Sequence, residues 1–201
     1  MNDPIYVEIE VRSPIDRVWL LTQDPVQHSR WDLRFSSITP TAGRADGGYQ
    51  FRYERRLPLH TIIGTGISLG ERGGPDGTRT SALRFATDDR LSPLAGGRGY
   101  WRYRPTPDGV TFITGYDYTP GWGSTLDRLV LRPFIGWMTA WSFDRLRIWA
   151  ETDVPPEAWP LASVVMFWRP DRPRASRCRR KPRRGHAMDD SPETLDRLEA
   201  S

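Results

Sequence analysis

GSTLDRLVLRPFIGWMTAWSFDRLRIWAE, residues 123–151, places apolar side chains at three- and four-residue steps: Leu126, Val130, Phe134, Trp137 and Trp141. That spacing predicts one long helix. Ser124 is the expected N-cap, with Asp127 three residues on where a capping box would have Glu or Gln. Pro133 either kinks this helix or marks its true start. From Pro133 to Phe143 there is no charge. A helix that is apolar all round needs cover on more than one side, so the rest of the fold should clasp it.

The chain before it supplies the cover. Residues 5–11 alternate Ile5, Val7, Ile9 and Val11 with Tyr6, Glu8 and Glu10, the pattern of a half-buried strand. Ser13 and Pro14 then predict a capped helix that ends near Asp24 and Pro25, followed by a short helix over 26–31. Strand patterns come next at 36–39, 49–55, 60–69, 78–87, 98–104 and 110–119. Turn residues separate them, including Gly73, Gly74, Pro75, Asp76 and Gly77 in one loop and Pro107, Asp108 and Gly109 in another. Short strands with short turns predict an antiparallel sheet. The G-x-G of Gly64, Thr65 and Gly66 lies inside a strand pattern and reads as relief of crowding. No GxGxxG, P-loop or HExxH motif occurs.

One strand, two short helices, a run of antiparallel strands and a long closing helix resemble the helix-grip fold of the START-like superfamily, the SRPBCC or polyketide cyclase/dehydrase group. The opening IEVRSPIDRVWLLTQDPVQHSRWD (residues 9–32) and the ending RLVLRPFIGWMTAWSFDRLRIWAE (residues 128–151) carry the resemblance. It implies an α+β fold in which a curved sheet wraps a long C-terminal helix around a deep apolar cavity. It also implies binding of lipid- or polyketide-like molecules, with cyclisation or dehydration in some members. No catalytic motif is common to the superfamily. The START-like domain is expected over 1–151, and 152–201 as a C-terminal extension.

Composition sets further bounds. Hydrophobic residues are 37% of the 201, and nine Trp, seven Tyr and seven Phe supply bulk for a core. The single Cys excludes a disulfide framework, and no metal site or cofactor is expected. The absence of a signal-peptide pattern or a membrane-length apolar run predicts a cytoplasmic protein. Of 29 basic residues only Lys181 is Lys. Nine basic residues against Asp171 lie between Arg169 and Arg184, so that stretch carries +8 and the rest of the chain −4. A nucleic-acid partner is therefore not expected of the domain. The stretch from Arg169 to Arg184 reads as a solvated basic linker, with weak contact to an anionic membrane surface as its functional alternative.

Candidate ligand-binding residues come from aromatic alternation: Tyr49, Phe51 and Tyr53 on one strand; Phe112, Thr114, Tyr116 and Tyr118 on another; Trp137 and Trp141 on the helix. An enclosed Asp117 would be a candidate general base for a cyclase or dehydratase, while an outward Asp117 would be plain surface. Arg84 and Arg102 alternate away from their apolar neighbours and should face outward. His28 and Asp32, one helical turn apart, read as a surface pair. Asp144 and Arg132 read as helix-surface charges, and Cys178, among arginines, as a thiol whose pKa they would lower if they stayed near it. The apolar run 159–168 should pack as a short helix on the domain, and a last short helix is expected over 191–198. Three functions follow: binding of an apolar ligand, cyclase or dehydratase activity in the same cavity, or interaction through the tail. Oligomeric state is not encoded in any pattern here.

Overall fold

β1 (Ile5–Val11) forms as its alternation dictates, with Ile5, Val7, Ile9 and Val11 in the core. The computed structural model describes residues 3–72, 74 and 76–199, so Gly73 and Pro75 of the Gly-rich turn lie outside the described residues. α1 (Ile15–Gln23) and α2 (Pro25–Trp31) follow. Pro14 rather than Ser13 occupies the N-cap of α1, and the Ser13 hydroxyl is buried without a hydrogen bond. α2 has a true side-chain cap: Asp24 accepts from the Gln27 N–H at 2.9 Å. Its first position is Pro25, where a missing N–H costs nothing.

Six strands come next: β2 (Ser37–Gly43), β3 (Tyr49–Leu57), β4 (His60–Glu71), β5 (Arg79–Ala86), β6 (Leu94–Thr106) and β7 (Gly109–Pro120). All pairings are antiparallel, in the order β1-β7-β6-β5-β4-β3-β2. β6 starts four residues before its sequence pattern. Gly96 and Gly97 offer no side-chain periodicity, yet their backbones pair with β5 and β7. Gly64 and Gly66 are needed where they stand. A Cβ at Gly64 would come within 2.3 Å of the Tyr53 ring, and one at Gly66 within 2.3 Å of the Phe51 ring. Both rings lie against bare backbone, which relieves the crowding that the sequence suggested.

The closing segment is continuous but not uniform. α3 (Ser124–Leu126), a π-helical turn (Asp127–Leu131) and α4 (Arg132–Thr152) run end to end. Pro133 has no N–H for the carbonyl one turn back. The wide turn absorbs that loss, with the Arg132 N–H reaching the Asp127 carbonyl five residues away. Pro133 thus marks the start of regular α-helix. Gly123, at φ 91°, precedes α3, and Ser124 gives no capping bond.

α4 lies on β1 and beside α1 and α2. Its inner side chains complete an aromatic core in which Phe112 stacks on Phe143 at 4.5 Å and Trp31 meets both edge-on. A second apolar cluster, Ile38, Phe51 and Tyr53 with half-buried Phe35, Tyr49 and Leu83, covers the inner face of the far strands. Phe85 packs against both clusters.

The extension is not a solvated linker. Asp144 of α4 is fully buried and accepts from Arg147 Nε (2.6 Å), the Arg174 N–H (2.7 Å) and Arg177 Nη1 (2.7 Å). Asp144 is therefore an anchor and not a surface charge. Glu8 and Arg179 exchange backbone hydrogen bonds at 2.9 Å, so the tail covers part of edge strand β1. On the outer face of the sheet, Tyr100 donates to the Ala187 carbonyl at 2.9 Å, and α5 (Glu193–Glu199) buries Leu195 and Leu198 against Leu69 and Ala82. Residues 159–168 form 3-10 turns around a buried Trp159, leaving Phe167 and Trp168 exposed. No helix among the described residues is long and apolar enough to cross a membrane.

Candidate functional site

The Leu33–Phe35 link between α2 and β2 brings a charged group into the inner side of the sheet. Asp32 ends α2 and is 1% exposed. Its Oδ1 accepts from the Arg34 N–H at 3.0 Å and from Nε at 2.9 Å; its Oδ2 accepts from Arg34 Nη2 at 2.6 Å and His28 Nε2 at 3.1 Å. His28 sits against Trp31, Phe35 and Trp101, with ring centroids 4.8–5.1 Å away. The surface pair expected from sequence is therefore a buried one. α2 is short and carries Trp31 inward, and the face that points Trp31 at the core takes His28 with it.

Burial works against the charge on Asp32, but the Arg34 guanidinium and the His28 bond outweigh it and hold the carboxyl well below the usual carboxylate range. For His28 burial wins and pushes its pKa down, against the pull of Asp32. The ring is thus neutral, with its proton on Nε2 to serve the Asp32 carboxylate. The sign for stability follows. The unfolded chain takes up a proton at His28 below about pH 6.5 and the native state does not, so stability falls as pH drops from there. Urea unfolding between pH 7.5 and 5 should show this slope. His28→Gln should flatten it, and an unchanged slope would count against the assignment.

Arg34 also faces Tyr116, with its guanidinium carbon 5.2 Å from the ring centre. Tyr116 Oη lies 2.8 Å from Thr139 Oγ1, whose own proton goes to the Ile135 carbonyl at 2.9 Å. Tyr116 must therefore donate to Thr139, leaving its oxygen to accept from the Arg34 side. Burial raises the Tyr116 pKa, so the phenol stays neutral. A guanidinium and a phenol beside apolar walls can bind and orient a carbonyl, hydroxyl or carboxylate.

The aromatic residues singled out by alternation divide among three places. Phe112, Tyr116, Tyr118 and Trp141 belong to the central core. Tyr49, Phe51 and Tyr53 belong to the second cluster, and Trp137 is half-buried and stacks on exposed Phe134 at 6.0 Å. Thr114 donates to the Tyr100 carbonyl at 3.0 Å, and Tyr118 donates to Asp127 at 2.5 Å. Asp117 is not enclosed. Its side chain is 37% exposed and accepts from Arg132 at 3.0 Å, so the candidate base is a surface ion pair. Arg132, by contrast, is buried and also holds Asp127. Arg84 and Arg102 face outward as expected, but the tail covers them through the Leu198 carbonyl and Asp190. Cys178, in the tail, is buried against α4 with its Sγ 3.1 Å from the Ala140 carbonyl, and burial raises its thiol pKa against the lowering pull of the nearby arginines. Gly66, Ile67, Ser68, Leu69 and Gly70 match G-x-S-x-G, yet they lie within β4; a nucleophile elbow needs a strand-to-helix turn. No group of three or more His, Cys, Asp or Glu among the described residues is placed to hold a metal ion.

Solved structures with this arrangement decide the architecture. The human StarD13 lipid transfer and protein localization domain matches with TM-score 0.55 at 14% identity, covering 74% of this chain and 77% of that one. An aromatase/cyclase from Streptomyces sp. R1128 matches with TM-score 0.53 at 11% identity, covering 75% and 97%. A STAR-related lipid transfer protein from Xanthomonas axonopodis matches with TM-score 0.52 at 17% identity, covering 70% and 81%. The fold is the START-like helix grip. At these identities the likeness is one of fold alone. No family model matches the sequence. A curated relative, the uncharacterized membrane protein YndG of Bacillus subtilis (strain 168), is 40% identical over 167 residues, 81% of this chain. The chain spans 62% of that relative's length. The chain is thus similar in sequence to part of a longer protein.

Proposed function

We propose that this START-like domain binds a lipid- or polyketide-like molecule between the inner face of β3–β6 and α4. One observation carries the reading: a mostly buried guanidinium, Arg34, stands beside Tyr116 where two aromatic clusters meet. Apolar walls would hold the ligand by area, and Arg34 with Tyr116 would fix its polar end. Solved structures of the same fold that are named as lipid-transfer proteins and as an aromatase/cyclase support a lipid- or polyketide-like ligand.

Native mass spectrometry of the purified chain, followed by denaturing extraction, tests the proposal. A co-purifying lipid or polyketide-like mass is expected. Leu83→Trp, which adds bulk to a half-buried position in the second cluster, should weaken rebinding of the extracted molecule by about tenfold or more. Unchanged rebinding would move the site away from this face. The cyclase or dehydratase alternative loses Asp117 as its base, because that carboxylate is paired at the surface.

A further inference from the structure

A groove of about 550 Å³ lies where β1, the start of α4 and Arg180–Lys181 of the tail meet. Four cations line it, Arg128, Arg132, Arg180 and Lys181, against the single carboxylate of Asp3. Arg132 is committed to Asp117 and Asp127 at 3.0 and 2.9 Å. Among the described residues, Arg128, Arg180 and Lys181 have no ion-pair partner. Three of the five earlier cations of the same basic stretch are neutralised: Arg169 by Asp171, Arg177 by Asp144 and Arg179 by Glu8. Folding therefore brings two unpaired tail cations, Arg180 and Lys181, beside Arg128 at the start of the closing helix.

That flank is also apolar. Leu129, Val130 and Phe134 are 66%, 53% and 50% exposed on the turns that adjoin the groove. Exposed large apolar side chains grouped beside unpaired cations have the chemistry of an interfacial surface, in which cations meet phosphates and apolar groups enter the headgroup layer. A nucleic acid would satisfy the cations but would leave Leu129 and Val130 without a partner.

We propose that this flank docks on an anionic phospholipid surface, with phosphodiester headgroups over Arg128, Arg180 and Lys181 and with Leu129, Val130 and Phe134 in the interfacial layer. The full chain is tested by co-sedimentation with phosphatidylcholine vesicles, with and without phosphatidylglycerol. Binding should require phosphatidylglycerol and weaken with salt. Combined Arg128→Glu, Arg180→Glu and Lys181→Glu should lower it at least about tenfold. Reversing the exposed Arg12, Arg90 and Arg104 instead, an equal change in net charge, should leave it intact. Leu129→Ser with Phe134→Ser should remove the binding that survives high salt, and urea midpoints near wild type would show that these variants fold. Equal binding to phosphatidylcholine alone, equal loss in the control variant, or displacement from vesicles by single-stranded RNA at matched phosphate would overturn the proposal.

Discussion

Replacing Asp32 by alanine should lower the stability of the fold by about 3–5 kcal/mol, the range for breaking a buried ion pair from one side. The carboxylate is 1% exposed and answers both Arg34 and His28. Removing it leaves the Arg34 guanidinium, whose side chain is 15% exposed, without its counter-charge. The loss comes from that stranded cation more than from the bond itself. A second change, Arg34→Met, should therefore restore part of the stability in the Asp32→Ala background. Urea unfolding of both single variants and the double variant measures the coupling. An additive double variant would mean that the pair is not a unit.

The wild-type pH profile gives an independent reading of the same group. Because the folded pKa of Asp32 is depressed, its contribution is complete above the ordinary aspartate pKa of about 3.9 and is lost as pH falls below it. This loss lies below the window in which His28 acts. Acid unfolding should thus steepen in two stages, and only the lower one should disappear with Asp32.

Leu195→Ala and Leu198→Ala should each cost about 2–5 kcal/mol, as buried leucines do elsewhere. Both are almost fully buried, against Leu69 and Ala82 on the outer face of the sheet. Because they share this contact, the double variant should cost less than the sum. Were the tail a solvated extension, each change would fall within about 0.5 kcal/mol of wild type. Urea unfolding separates these outcomes, and amide exchange in β5 should rise in both variants. The two residues matter because without them Leu69 and Ala82 on the outer face of the sheet would lose their cover.

Much of this architecture is written in local pattern. The alternation of Ile5 to Val11 sets β1, and turn residues bracket the later strands. The three- and four-residue steps from Leu126 to Trp141 set the closing helix, while whether Pro133 kinks it or starts its regular part is decided by the folded backbone. These signals are local because backbone pairing and helix periodicity depend on near neighbours.

The site was less legible. His28 and Asp32 announce only that they share a helix face; whether that face meets water or core depends on Trp31, Trp101 and Phe35, which are distant in sequence or turn inward only in the folded chain. Arg34 gives no pattern at all, since its meaning comes from Tyr116 more than 80 residues away. Sequence leaves Asp117 open between an enclosed base and plain surface, because alternation tells which face a side chain takes but not what stands opposite, here Arg132. Charge in the stretch beginning at Arg169 predicted solvent, yet Asp144 and Glu8 claim three of its arginines through the folded chain. Sequence by itself determined the elements and their order. Tertiary structure alone decided which charges are buried, paired or left free, because desolvation and Coulomb attraction act on distances that exist only after folding.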